Sequence, residues 1–102
     1  MLNKRKEWIA ANLYKVELKD KLNSGEGEDK FTRFTENKHN LIDPVQFKYI
    51  EVLQVTDKAI LFHLLSGDEA WLPKTMVKVN IPRKIMQTTR ILAKNRGLKV
   101  PK

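Results

Sequence analysis

The chain has 102 residues, of which 20 are Lys or Arg, 12 are Asp or Glu and none is Cys, so its formal net charge is +8. A chain of this length can bury one modest core, which excludes a multi-domain enzyme. The absence of Cys excludes disulfides and thiolate nucleophiles. The longest uncharged apolar run, residues 59–65, is too short to span a bilayer, and no signal-peptide pattern follows the N-terminus. We therefore expect one cytoplasmic domain over residues 1–102, without a membrane partner.

The N-terminal segment, residues 1–44, is predicted to be an extension of the main fold. Its pattern favours a short helix to about residue 11, followed by a strand from about residue 13 to 22. That strand is expected to pair with residues 31–35 across the acidic loop at 23–29.

Residues 45–79 have the pattern of an antiparallel β-meander. A β-rich run covers residues 47–55, and the apolar run at 59–65 follows a short turn. Gly67 can supply the positive φ of a tight hairpin before a strand at 70–72, which Pro73 ends. Apolar and polar side chains alternate over residues 76–79, which predicts a further strand. The predicted fold class is α+β, as a small antiparallel β-meander or an SH3/OB-like barrel with a basic C-terminal helix.

The C-terminal segment carries the charge signal. Residues 80–102 contain seven basic and no acidic side chains, whereas residues 44–79 contain four of each. Pro82 near the start and Gly97 at the end favour a helix over residues 80–98, followed by a tail at 99–102. On this helix an apolar face, which would dock on the sheet, is formed by Ile85, Met86, Thr89, Leu92 and Ala93. The neighbouring face would carry Arg83, Arg90 and Lys94.

One stretch of this sequence is similar to a known group of proteins. Residues 67–75, Gly-Asp-Glu-Ala-Trp-Leu-Pro-Lys-Thr, are followed by Ile81-Pro82 and by Asn95-Arg-Gly-Leu98. With the run after Val55, this pattern resembles small proteins of bacteriophages and mobile elements over about residues 51–98. In that group, Trp-(Ile/Leu)-Pro-Lys-(Ser/Thr) precedes a helix with an "iP…KKGL" pattern. The resemblance implies a phage-type small β domain and carries no implied reaction.

Catalytic chemistry has little support in the sequence. The two histidines, His39 and His63, have no recognisable catalytic setting, and His63 lies within an apolar strand. Asp68 and Glu69 are adjacent acids of the kind common in hairpin turns. We therefore expect a protein that is not an enzyme and has no catalytic residues, metal site or cofactor.

Trp71 is open to two interpretations. In a small barrel it can fill the core, which is the more frequent outcome, or stand on the surface and stack on a base. If it is exposed, Lys74 and Thr75 would lie beside it and could contact a phosphate.

Seven unopposed cations attract phosphates, and each neutralised phosphate releases counterions. The first hypothesis is therefore a small basic nucleic-acid-binding accessory protein of phage or mobile-element origin, acting in the host cytoplasm. Its predicted contact residues are Arg83, Arg90, Lys94, Arg96, Lys74 and Trp71. The alternative is a protein-interaction module, an inhibitor or adaptor, whose basic face meets an acidic surface of a host or phage protein. The same charge also has an interpretation without a binding role. The basic side chains would then form a solvated helix face, and the cations near the C-terminus of the helix would complement the helix dipole.

Overall fold

Six antiparallel strands form one sheet, and two helices flank it, in the computed structural model, which describes residues 15–34 and 41–100. Helix α1 covers residues 15–24 of the described chain. The later elements are β1 (Phe31–Arg33), β2 (Pro44–Val55), β3 (Ala59–Leu64), β4 (Glu69–Pro73), a 3-10 turn (Lys74–Met76), β5 (Val77–Asn80), β6 (Ile85–Thr89) and α2 (Arg90–Asn95). The α+β class and the predicted strands between residues 45 and 79 are confirmed. The predicted helix ending near residue 11 lies outside the described residues, as does His39.

The sheet is organised around β2, because this long strand has two different partners. The strand order is β1-β5-β6-β2-β3-β4. Residues 44–48 of β2 pair with β6, and residues 49–55 pair with β3. Two register shifts interrupt the second pairing, one after Tyr49 and one after Val52. Such bulges bend a strand and increase its twist, which lets β2 pass from one ladder to the other.

The pairing of β2 with β6 ends at Lys48. Beyond this residue, groups that do not belong to a paired strand form the hydrogen bonds on that edge of β2. The backbone N–H of Tyr49 donates to the carbonyl oxygen of Lys84 at 2.9 Å. At Val52, the Asn23 side chain of α1 accepts from the backbone N–H and donates to the carbonyl oxygen, the latter at 3.0 Å. One amide side chain thus satisfies both backbone groups, as a paired residue would.

The core lies on the inner side of the sheet, beneath α1 and α2. Tyr49 and Phe62 meet edge to face with ring centroids 5.4 Å apart. Leu22 brings α1 into this cluster, since its side chain is fully buried and its carbonyl oxygen accepts from the Tyr49 hydroxyl at 2.8 Å. The fully or nearly fully buried side chains also include Val52, Ile60, Leu64, Leu72, Val77, Val79 and Met86.

The predicted strand at 13–22 is wrong, because the described part of this stretch is helical. The alternation of Val16 and Leu18 suggested a strand, but Val16 is 56% exposed. The residues of this helix that pack in or against the core are Leu18 and Leu22, which lie four residues apart and therefore on one helix face. β1 is a strand as predicted, although it pairs with β5 rather than with the preceding segment.

The predicted helix over 80–98 is also wrong in its first half. Residues 81–84 form a turn, β6 follows, and α2 has only six residues. Pro82 lies in the turn, and two strand neighbours give β6 a full set of backbone hydrogen bonds. Met86 and Thr88 alternate into the core as strand residues do. Helical propensity is a weak preference that such tertiary pairing overrides.

The end of α2 agrees with the sequence analysis. Thr89 is the N-cap, and its hydroxyl accepts from the backbone N–H of Leu92. Gly97 has a φ of 75°, and the N–H of Leu98 donates to the carbonyl of Ala93, which closes the helix. The start of the predicted tail is packed, because Val100 lies against the core.

Replacing Tyr49 with Phe tests the contact between α1 and β2. Burial raises the pKa of Tyr49 to about 12 from its ordinary value of 10.0. The neutral phenol therefore stabilises the fold below pH 10, and this contribution is lost as the pH rises from 10 to 12. We expect Tyr49→Phe to lower the free energy of unfolding by about 1 kcal/mol at neutral pH, through loss of the hydrogen bond to Leu22.

The same substitution removes the ionisable group, so the deficit of the variant should shrink and then reverse as the pH approaches 12. Urea unfolding of both proteins across this pH range measures the effect. A constant difference at every pH would contradict the burial of a titrating phenol.

Candidate nucleic-acid interface

Trp71 lies on the outer side of β4, so the interpretation of Trp71 as a core residue is wrong. Along β4, Ala70 and Leu72 are buried, and Glu69 and Trp71 alternate with them on the other side. The side chain of Trp71 is 37% exposed and lies across from Leu61 of β3. Trp71 is therefore partly accessible to the solvent, which a stacking residue requires.

Arg96 is held beside Trp71 by the end of α2. Its guanidinium Nε donates to the carbonyl oxygen of Trp71 at 2.8 Å, and the side chain remains exposed. The turn at Gly97 and the buried side chain of Leu98 anchor this part of the backbone. β4 is an end strand of the sheet, so Arg96 also covers part of its edge. Of the six predicted contact residues, Trp71 and Arg96 are joined by a direct hydrogen bond.

Arg83 lies apart from this pair. It belongs to the turn between β5 and β6, where its Nε and Nη2 donate to the two carboxylate oxygens of Asp29 at 2.8 and 2.9 Å. Asn80 also donates to Asp29. Hydrogen bonds from Arg83 and Asn80 hold the pKa of the Asp29 carboxyl below its ordinary value. The charge of Arg83 is therefore locally compensated.

Arg90 begins α2 and is attached to the loop before β2. Its Nε lies 2.8 Å from Asp43 Oδ2, and its backbone N–H donates to the Asp43 carbonyl. The five residues of β6 separate Arg90 from the turn of Arg83, a span of about 16 Å at about 3.3 Å per residue. The shared helix face predicted for Arg83, Arg90 and Lys94 therefore does not exist. Lys94 is exposed on α2, two residues before Arg96.

Lys74 is buried in the 3-10 turn, with 7% of its surface exposed. Burial lowers the pKa of its ammonium group, the nearby Asp57 opposes this shift, and Lys15 adds to it. A cation in this environment has little surface to offer a phosphate. Its place beside Trp71 in the sequence does not make it part of an exposed site.

Sequence reasoning missed the acidic partners Asp29 and Asp43. They lie 54 and 47 residues from Arg83 and Arg90, and no local pattern connects them. Asp43 has a positive φ of 46° and directly precedes β2, which begins at Pro44.

An apolar groove lies beside α2. Ile42, Met76, Ile91 and Leu92 contribute its apolar lining. Ile42 and Ile91 are 79% and 71% exposed, which is unusual for side chains of this size. The groove adjoins Arg90 and offers a surface that a protein partner could cover.

His63 and Asp68 are further titratable candidates in the described part of the chain. His63 lies half-buried on the outer side of β3, with its Nδ1 3.8 Å from a carboxylate oxygen of Glu51. Asp68 accepts from Ser66 Oγ within the β3–β4 turn. Within residues 15–34 and 41–100, no three His, Asp or Glu side chains are placed to hold a metal ion.

Comparison of the chain with protein-family models, curated proteins and solved structures finds no match. In the part of the chain that the structure describes, neither helix is long and apolar enough to cross a membrane.

Replacing Lys74 with Met tests whether this lysine affects the stability of the fold or the affinity for nucleic acid. Because the folded state lowers the pKa of Lys74, the charged ammonium costs stability below that pKa, and the cost disappears as the pH rises toward 10.5. We therefore expect the stability of Lys74→Met relative to the wild type to be highest at neutral pH and to fall as the pH approaches 10.5.

Chemical denaturation at both pH values measures the change, with Lys21→Met on the exposed side of α1 as the matched control. A loss of stability at neutral pH would show that the ammonium group is worth more to the fold than its burial costs. Affinity for nucleic acid should not change.

Proposed function

We propose that this protein is a small basic nucleic-acid-binding accessory protein of phage or mobile-element origin, acting in the cytoplasm and not as an enzyme. The observation that carries the proposal is the hydrogen bond from Arg96 to the backbone carbonyl of Trp71, which joins an exposed arginine to the residue that carries a partly exposed indole. Bases stack on aromatic side chains, and cations neutralise the adjacent phosphates.

The geometry favours a single strand as the ligand. A base can stack on Trp71 only if it is unpaired, because the faces of paired bases are covered by their neighbours in the duplex. Lys94 and Lys99 are exposed near Arg96 in the sequence, and residues 90–100 contain no acidic side chain. We therefore assign the base to Trp71 and the phosphates to Arg96, with Lys94 and Lys99 adding to the local positive potential.

We also propose that the sheet belongs to the SH3/OB-like class of partly open barrels. Two features support this assignment: β2 takes part in two ladders, and a 3-10 turn connects β4 to β5. Barrels of this class commonly bind oligonucleotides on an outer sheet surface and its adjoining loops.

The proposal is tested by titrating the protein into labelled single-stranded DNA, single-stranded RNA and duplex DNA of equal length at two salt concentrations. Fluorescence anisotropy measures the affinity. We expect tighter binding of a single strand. Trp71→Ala should weaken it by about tenfold, since one stacked base contributes about 1–3 kcal/mol.

Arg96→Ala should weaken binding and reduce the salt dependence, by about 0.7 in the slope of log K against log salt. Arg83→Ala is the matched control, because it removes an exposed arginine whose charge Asp29 compensates. Equal effects of the two arginine variants would contradict the assigned site. If Trp71→Ala unfolds the protein, Trp71→Phe keeps a stacking ring and should retain most of the affinity.

The second candidate function is a protein-interaction module, an inhibitor or adaptor, that meets an acidic surface of a host protein. The exposed Ile42 and Ile91 beside Arg90 favour it. Ile91→Asp should then abolish capture of a specific partner from nuclease-treated host lysate, while Trp71→Ala leaves capture intact. Loss of every captured protein on nuclease treatment would contradict this function.

A further inference from the structure

The outer face of the ladder formed by β1, β5, β6 and β2 carries a row of basic and amide side chains. Strand pairing places Arg33 opposite Lys78, Lys78 opposite Gln87, and Gln87 opposite Gln46. We call these four residues the basic row. At about 4.8 Å between strands, it extends over about 14 Å.

A second row lies next to it on the same face. It consists of Phe31, Asn80, Ile85 and Lys48, which occupy successive paired positions on β1, β5, β6 and β2. Residues between the two rows point the other way, since Val79 and Met86 are fully buried in the core. The two rows therefore share the outer face.

The side chains of the two rows are basic or neutral, and the carboxylate of Asp29 lies at one end, where it accepts from Asn80 and pairs with Arg83. Among the eight described residues of the two rows, Arg33, Lys78 and Lys48 are basic and none is acidic.

The outer face of the other ladder differs. There the corresponding row is Glu51, His63 and Glu69 on β2, β3 and β4. The sheet thus separates its cations from its acids, and the separation follows the strands rather than the charge blocks of the sequence.

The exposure of the polar side chains in the two rows suits contact with a polyanion. Gln46 of the basic row and Lys48 of the second row are exposed, while Arg33, Lys78 and Gln87 are half-buried. Long side chains of this kind lay their stems along the sheet and keep their polar ends in water. The amides of Gln46 and Gln87 add neutral donors, which commonly contact phosphate oxygens without reading the base.

We propose that the outer face of β1, β5, β6 and β2 binds the sugar-phosphate backbone of the single strand whose base stacks on Trp71. This inference rests on the proposed function and adds a second contact surface to it. The two surfaces lie on different ladders, with the row of Glu51, His63 and Glu69 between them, so the strand contacts the sheet at each surface and not along the whole way between them. Phosphate contacts of this kind position the ligand and carry no sequence specificity.

The test compares two double variants with equal loss of charge. Lys48→Gln with Lys78→Gln removes one exposed and one half-buried lysine from the proposed face. Lys19→Gln with Lys21→Gln removes one half-buried and one exposed lysine from α1. Each protein is titrated into an oligo-dT and an oligo-U of about 16 nucleotides, at the upper end of known site sizes.

The first variant should lower the slope of log K against log salt by about 1.4 and weaken binding about tenfold at physiological salt, since each phosphate contact on a single strand contributes about 0.7. The control should keep the wild-type slope. Equal losses in the two double variants, or no loss in either, would overturn the inference.

Failure of this inference can be told apart from failure of the proposed function. If Trp71→Ala and Arg96→Ala weaken binding but Lys48→Gln with Lys78→Gln does not, only the second surface is wrong. If the wild-type protein binds neither oligonucleotide, both proposals fail. Backbone amide shifts of the wild-type protein on adding oligo-dT give a measurement that needs no variant. They should move in β5 and β6, and an unchanged spectrum there would overturn the inference.

Discussion

The fold depends on satisfying the backbone of β2 on both of its edges while the strand passes between two ladders. β6 supplies hydrogen bonds only as far as Lys48, and a buried strand cannot leave its remaining N–H and C=O groups unpaired. The Lys84 carbonyl serves Tyr49, and the Asn23 side chain serves Val52. Because Asn23 belongs to α1, the requirement also fixes the position of that helix and brings Leu22 into the core beneath Tyr49. The bend of β2 and the docking of α1 are therefore two results of one constraint.

The part of the fold that could be predicted from the sequence is the part with local signals. The runs in β2 and β3, the turn at Gly67 and the helix end at Gly97 each depend on neighbouring residues, and the strand and helix-end assignments are confirmed. The segment from Asn80 to Thr89 was predicted as a helix because its apolar residues also fit a helical period. Its strand state depends on pairing with β5 just before it and with β2 about 40 residues earlier, and no local pattern reveals the second partner. The opposite error occurred in α1, where the exposed Val16 imitated the alternation of a strand.

The candidate site could be predicted only in part, because its local signals are visible in the sequence and its distant contacts are not. The basic surplus at the C-terminal end is visible in composition, but its grouping on one surface assumed a continuous helix. With β6 in that place, Arg83 and Arg90 lie at opposite ends of a strand, and each has an acidic partner from a distant segment. Arg96 joins Trp71 through a contact across 25 residues. The basic row could not be found from the sequence at all, because its members come from four strands and meet only through their register.

The outer faces of the two ladders carry strand residues of opposite charge, which adds a local dipole across the sheet to the net charge. Cations lie over β5 and the start of β2, and Glu51 and Glu69 lie over the far part of β2 and β4. In the field of a polyanion such a molecule experiences a torque as well as an attraction, so it turns its basic side forward before contact. A larger share of encounters then begins in one orientation, an advantage that added salt removes as the field is screened.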